Sequence, residues 1–290
     1  MKKTMRSAML STIAMLVVAV LSLTGVTYAW FSSAEKAVVS EFTMNVAENA
    51  GGVEISNNMT TWASSIAAPS FANATFSPVS TGSKLVDNGL KFFVGTLGTD
   101  TNTVTLADAG ADASGKWVAY TVYFRNTSSN AVKVNLNETT VTSADALDVE
   151  KATRIGLVDF GDVTITADNG NETAFNGKGA TGVQIYEPNA TAHTINGIND
   201  GAVANTVHEY FGAVGVTNTA VNRKQATTGV LEKVTTATDT ANVTITINGN
   251  SYHKVVVYFW VEGQDADCQN DVAGENFQVN LKFSKVNEQN

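Results

Sequence analysis

Alternation with a period of two recurs along this chain and confines it to sheet architectures. In Lys116 to Asn126, Val118, Tyr120, Val122 and Phe124 alternate with Trp117, Ala119, Thr121 and Tyr123. Successive strand residues face opposite sides, so bulk on both sets suits an inner position in a sheet. Lys254 to Val261 is a near-continuous apolar run, the pattern of a central strand. Phe277, Val279, Leu281 and Phe283 alternate again, as do Val243 to Ile247 and Phe42, Met44 and Val46. Shorter strands are expected at Val53–Ser56, Leu90–Val94, Val104–Leu106 and Arg154–Phe160. Val132, Val134 and Leu136 follow the turn cluster Arg125–Asn130, which predicts a hairpin. Asn57–Ser70 reads as turns, with Trp62 a candidate plug over a core edge, and Phe71–Lys84 reads as loop. One short helix is predicted over Ser143–Thr153, capped by Ser143. The fold class that follows is all-β, an antiparallel two-sheet sandwich of jelly-roll type.

Residues 166–242 differ in composition. They are rich in Thr, Asn, Ala and Gly, with Val183–Tyr186 and His208–Phe211 as apolar islands. This stretch reads as a long insertion at one end of the sandwich, the kind of segment that carries partner contacts or is a solvated decoration.

The chain begins with an export pattern. Lys2, Lys3 and Arg6 precede an uncharged apolar run, Met9 to Val26, and Thr27 and Ala29 occupy the two positions a signal peptidase requires small. A cleavable signal helix over 1–29, cut after Ala29, is the expectation. The uncharged stretch Ser7–Ala34 is also long enough to span a bilayer if left uncut, which is the one membrane association expected. The remainder divides into an amino-terminal strand segment, 30–48, and one large β-domain, 49–290, that holds the insertion.

The formal charge is −9, and the leader carries the three basic residues just named and no acid, so the mature chain stands at −12. That balance disfavours nucleic acid and anionic lipid as partners. Cys268 is the single cysteine, which excludes an intrachain disulfide and leaves the fold to its core. His193, His208 and His253 show no zinc spacing: His208-Glu209 opens the zincin pattern, but Gly212 stands where the second histidine belongs. No nucleophile elbow and no phosphate-cradling loop is present. Asp265, Asp267 and Asp271 offer oxygens suited to calcium. The EF-hand glycine and closing glutamate are out of register, so an acidic turn after a buried strand is the simpler reading. No catalytic set and no cofactor is assigned.

The leader ending in Thr27-Tyr28-Ala29-Trp30-Phe31, with Phe42-Thr43-Met44-Asn45-Val46 close behind it, resembles the TasA and camelysin group, secreted fibre proteins of Gram-positive bacteria. Glu150–Ile155, Val257–Gly263 and Asp265–Cys268 are similar to stretches of secreted Clostridia-type relatives. The resemblance does not extend across 166–242. It implies a jelly-roll subunit, processed by a signal peptidase, that polymerises head to tail with copies of itself by lending Phe42, Met44 and Val46 to its neighbour's sheet. The expected location is the extracellular matrix or the cell surface. Camelysin is classed as a metalloprotease, and the missing zinc motif argues against carrying that activity over. The alternatives are an adhesion or binding module anchored by an uncut leader, and an extracellular metalloprotease.

Overall fold

In the computed structural model, the apolar run near the carboxyl end forms β19 (Ser251–Val261), the middle strand of a five-stranded sheet. It is flanked by β8 (Trp117–Asn126) and β11 (Thr153–Thr164), both antiparallel to it. The edges are β2 (Val53–Ser56) and β12 (Gly182–Tyr186). The structure describes residues 37–46, 52–67, 74–97, 103–111, 113–136, 139–143, 152–165, 172–186, 194–195, 198–199, 211–212, 217–219, 232–233, 244–263 and 276–286. These form mostly strands in several largely antiparallel sheets, with very little helix. Among them no helix is long and apolar enough to cross a membrane.

The second sheet runs β18 (Thr244–Ile247), β9 (Val132–Asn135), β20 (Asn276–Lys285), β1 (Ala37–Val46), β3 (Ser65–Ala67). Two short strands lie beside this path: β10 (Thr140–Ser143) on β20 and β4 (Ala74–Phe76) on β1. The two sheets pack through their inner faces. Phe259 of β19 meets Phe277 of β20 at 5.5 Å between ring centroids and Phe76 at 5.7 Å, and Phe124 of β8 meets Phe283 edge-on at 4.9 Å. Val122, Val255, Val257, Val279 and Leu281 complete this buried layer.

A third sheet covers the far face of the first. It comprises β5 (Ser80–Val86), β6 (Gly89–Leu97), β7 (Thr103–Asp108) and β16 (Thr217–Thr219). Phe92 stacks on Trp117 at 4.4 Å and meets Trp260 edge-on at 5.3 Å. Gly156 makes this approach possible: a Cβ there would lie 2.8 Å from Leu90 Cδ1 and 3.1 Å from the Trp260 ring. Two ribbons remain in the 166–242 stretch, β13 (Thr194–Ile195) with β14 (Ile198–Asn199), and β15 (Phe211–Gly212) with β17 (Glu232–Lys233).

Several expectations change. The predicted hairpin between β8 and β9 does not form; β9 crosses to the second sheet and pairs with β18 and β20. The buried Asn126 makes this corner. Its Nδ2 donates to the carbonyls of Asn130, Ile247 and Asn248, and its Oδ1 accepts from Ser128 N–H and Oγ–H. The β18–β19 turn packs on the same corner, and there Gly249 is obligatory, because a Cβ would fall 2.1 Å from the Ser129 carbonyl oxygen. The expected loop at 71–84 contains β4 and most of β5. Its Ser80 and Thr81 are buried, with Thr81 Oγ1 donating to the Lys91 carbonyl, so small polar residues fill interior positions that a hydrophobicity pattern overlooks.

The helix predicted over Ser143–Thr153 is bounded by strand at both ends. Ser143 closes β10 opposite Phe277, and Thr153 opens β11 opposite Val261. Residues 144–151 lie outside the described set. The helix observed is the single turn α1 (Thr173–Asn176), which buries Phe175. The expected insertion is tied into the sheets: Val183–Tyr186 belongs to β12, and β16 pairs with β7. Trp62 caps a cluster on the far face of the first sheet rather than the main core. It stacks on Tyr252 at 5.3 Å beneath the Arg125 guanidinium, next to Met59, Tyr123 and Phe175.

Candidate functional site

The segment singled out by its alternation is β1, and it lies inside a sheet. On one side it runs parallel to β20, with Phe42 opposite Val279, Met44 opposite Leu281 and Val46 opposite Phe283. On the other it is antiparallel to β3 and β4. The parallel pairing departs from the all-antiparallel expectation. It arises because the first and last described strands of the chain lie side by side and run the same way.

The inner face of β1 is part of the core. Met44 is completely buried and Val46 is 4% exposed, both within the layer that holds Leu281 and Phe283. Transferring side chains of this size from water contributes about 1.5–3 kcal/mol each. The Phe42 side chain lies outside the described residues, although its backbone pairs in register. Outward from the sheet, Asn45 Nδ2 donates to Asn280 Oδ1 at 3.0 Å. The carboxyl end of β1 is held where Val46 N–H donates to the Ser64 carbonyl at 2.7 Å. The chain then passes through 47–52 to β2, which belongs to the opposite sheet.

Without β1, the long edge of β20 and the edges of β3 and β4 would all lose their partners. Unpaired edges of this kind accept a further strand. The far edge of the same sheet is treated differently. The Gln184 carboxamide donates to the Thr244 carbonyl at 3.1 Å and accepts from Thr244 N–H at 3.0 Å, so a side chain supplies both bonds that a neighbouring strand would make. Asp162 Oδ2 accepts from Asn248 N–H just beyond. The β18 edge is thus closed to strand addition there.

Among the described residues, a buried polar cluster centres on His253, 3% exposed. Its Nδ1 lies 2.5 Å from Asp162 Oδ1 and its Nε2 2.8 Å from Asp159 Oδ1. A bulge in β11 at Gly161, whose φ is +76°, brings both carboxylates to one imidazole. Burial by itself lowers the histidine pKa, but the two aspartates outweigh it and hold the value at about 9. Burial raises Asp159, and the His253 hydrogen bond and charge, with Gly161 N–H and Lys178, bring it below its ordinary value. Both ring nitrogens face carboxylates, an arrangement that favours the imidazolium, the form with no lone pair for a base or a metal ligand. Its edge meets Phe124, which meets Phe283, the partner of Val46.

On the far face of the first sheet, Glu172 accepts from Tyr123 Oη–H and pairs with Lys254, which also lies over Phe160 at 5.0 Å. Among the described residues no group of three or more His, Cys, Asp or Glu is arranged to hold a metal ion. Ala29, the calcium candidates Asp265, Asp267 and Asp271, and Cys268, His193 and His208 lie outside the described residues.

Sequence reasoning found β1 but missed its partner β20, the Asn45–Asn280 pair and the His253 cluster. Asn45 was visible only as one polar residue on the outward face. His253 was hidden because its partners lie about 90 residues away and depend on a bulge. Comparison of the chain with protein-family models, with curated proteins and with solved structures finds no match.

Proposed function

We propose that this chain is a secreted structural subunit that polymerises into extracellular fibres by strand exchange, each subunit placing β1 in the slot of the next. The observation that carries this reading is the position of β1: first among the described strands, yet interior in its sheet, with Met44 and Val46 in the core. A terminal strand can leave and be replaced by its copy from another molecule without threading the chain. The replacement regains every backbone bond and every pocket. The contact is head to tail, and where its rotation does not close it propagates as a filament.

The export pattern and the resemblance to the TasA and camelysin group, with its jelly-roll subunits, support the same reading. Cleavage after Ala29 releases the amino end of the segment, which a membrane-tethered leader would restrain. The cover that Gln184 places on Thr244 at the β18 edge agrees with growth by exchange rather than by stacking of edges.

The test uses mature protein in which Cys268 is replaced by serine. One preparation carries Glu41→Cys and the other Gln278→Cys, positions that are Cα partners across β1 and β20. Mixed under mild oxidation, the two should yield linked pairs and, by electron microscopy, filaments. If the mixture stays unlinked and light scattering reports monomers at every concentration, polymerisation by β1 is wrong.

A further inference from the structure

Five Asn-Gly pairs occur in the chain, at Asn88, Asn169, Asn176, Asn196 and Asn248. Such a pair is chemically labile in water. The backbone nitrogen of the glycine gives up its proton to solvent and attacks Cγ of the asparagine. The carboxamide nitrogen leaves as ammonia and a cyclic succinimide closes. Water then opens that ring at either carbonyl, leaving aspartate or isoaspartate. Closure requires the peptide plane between the two residues to turn until its nitrogen faces Cγ, so a fold that holds this plane prevents the reaction. Asn169 and Asn196 lie outside the described residues. The other three are all followed by glycine, so what separates them is structure.

Two of the three are clamped. Asn88 closes the tight turn between β5 and β6, where Asp87 and Asn88 both take positive φ, +51° and +64°. Gly89 pairs with Val86 in the ladder, and Asn88 Oδ1 accepts from Ala180 N–H at 3.0 Å. Asn248 is held at both ends of its backbone. Its N–H donates to Asp162 Oδ2, and its carbonyl accepts from Asn126 Nδ2 and Ser251 Oγ–H. Gly249 is wedged against the Ser129 carbonyl. Turning either peptide plane means breaking these contacts first.

Asn176 is placed differently. It ends α1, a single turn and too short to hold its shape cooperatively. It is exposed, and its carboxamide has no hydrogen-bond partner among the described residues. Gly177 is exposed as well, its N–H turns only to the Phe175 carbonyl of the same turn, and a Cβ there would meet nothing within 4 Å. We infer that Asn176 is a site of spontaneous deamidation in the folded protein, while Asn88 and Asn248 are protected. The product falls where it matters locally. The same turn buries Phe175 beside Tyr123 and Tyr252, and Glu172 accepts from Tyr123 and pairs with Lys254. Isoaspartate adds one main-chain carbon between Phe175 and Lys178, whose Nζ donates to the Asp162 carbonyl. Either product sets a carboxylate four residues from Glu172 on one helix face, a repelling pair. The site is independent of strand exchange.

The test holds the protein in mildly alkaline buffer and samples it over weeks. Peptide mapping by mass spectrometry locates each conversion, and isoaspartyl methyltransferase labelling detects the isoaspartate. Position 176 should convert, with positions 88 and 248 slower by about 10-fold or more, the factor that 1.4 kcal/mol of protection against local opening supplies. In unfolding urea the three rates should converge. Gly177→Ala, which the ordinary φ of −87° and the open space accommodate, should keep the urea midpoint and slow position 176 to the pace of the clamped sites. If Asn176 stays intact in the folded protein while it reacts in urea, the turn protects it and the inference fails. It fails too if position 88 or 248 keeps pace with 176, or if the same order of rates persists in urea, since sequence rather than structure would then set it.

Discussion

His253 should make the stability of this domain depend on pH in a window where few proteins lose any. Its pKa is raised from 6.5 to about 9 by Asp159 and Asp162, against the opposing effect of burial. At about 1.36 kcal/mol per unit, the charged form contributes about 3 kcal/mol to folding. The sign follows from the direction of the shift. A raised pKa means that the folded state binds the proton more tightly, so the contribution is complete below about pH 6.5 and is lost as the pH climbs through about 9. Tyr120 and Tyr258 are raised from their ordinary values by burial, and Tyr123 by burial together with Glu172, so their ionisation falls above the window.

The assay is urea unfolding of the protein at a series of pH values, paired with His253→Gln. Glutamine can still donate to one aspartate but does not titrate. The difference between the two curves should shrink by about 3 kcal/mol between roughly pH 6.5 and pH 10. Two parallel curves would refute the reasoning, because they would mean that His253 is neutral in the folded state and that the two short contacts do not hold a cation.

Two further predictions concern packing and edges. Gly156→Ala should cost about 1–3 kcal/mol, because the new methyl group must displace Leu90 and the Trp260 ring. Leu90→Ala should cost less in that background than in the parent, and simple additivity in a double-mutant cycle would show that the two do not collide. Gln184→Ala should lower stability by about 1–2 kcal/mol and increase lateral aggregation measured by light scattering, since Thr244 loses the cover on its N–H and C=O. An unchanged aggregation rate would show that the β18 edge is protected by something else.

The strands that alternate were legible because burial on one or both faces dictates their composition. β8, β11, β19 and β20 fall close to where the pattern put them. The pairing was not legible, and the reason is local. Arg125–Asn130 has the residues of a tight turn, but whether it folds back or crosses between sheets depends on what the buried Asn126 amide can reach, and two of its three acceptors lie in the distant 247–248 turn. In the third sheet, β6 and β7 fall on the strands expected at Leu90–Val94 and Val104–Leu106, but β5 was missed because Ser80 and Thr81 look like loop residues until Lys91 supplies a partner. The candidate site was half legible: Met44 and Val46 announced a buried face, but nothing in their spacing distinguished a strand that stays from one that leaves.

That distinction turns on the connection 47–52. In its own slot or in a neighbour's, β1 makes the same contacts with β20, β3 and β4, so those contacts cancel and cannot favour either arrangement. What remains is the connection. Residence in the same molecule requires it to cross from one sheet to the other between Val46 and Val53, whereas exchange lets it extend. Against exchange stands the effective concentration of a tethered strand, in the millimolar range for a short flexible link. Short hinge connections are a recognised route to swapped assemblies. If β1 exchanges as proposed, the balance shifts with subunit concentration alone, so the chain should remain single when dilute and assemble when concentrated, with no change in any contact of the folded domain.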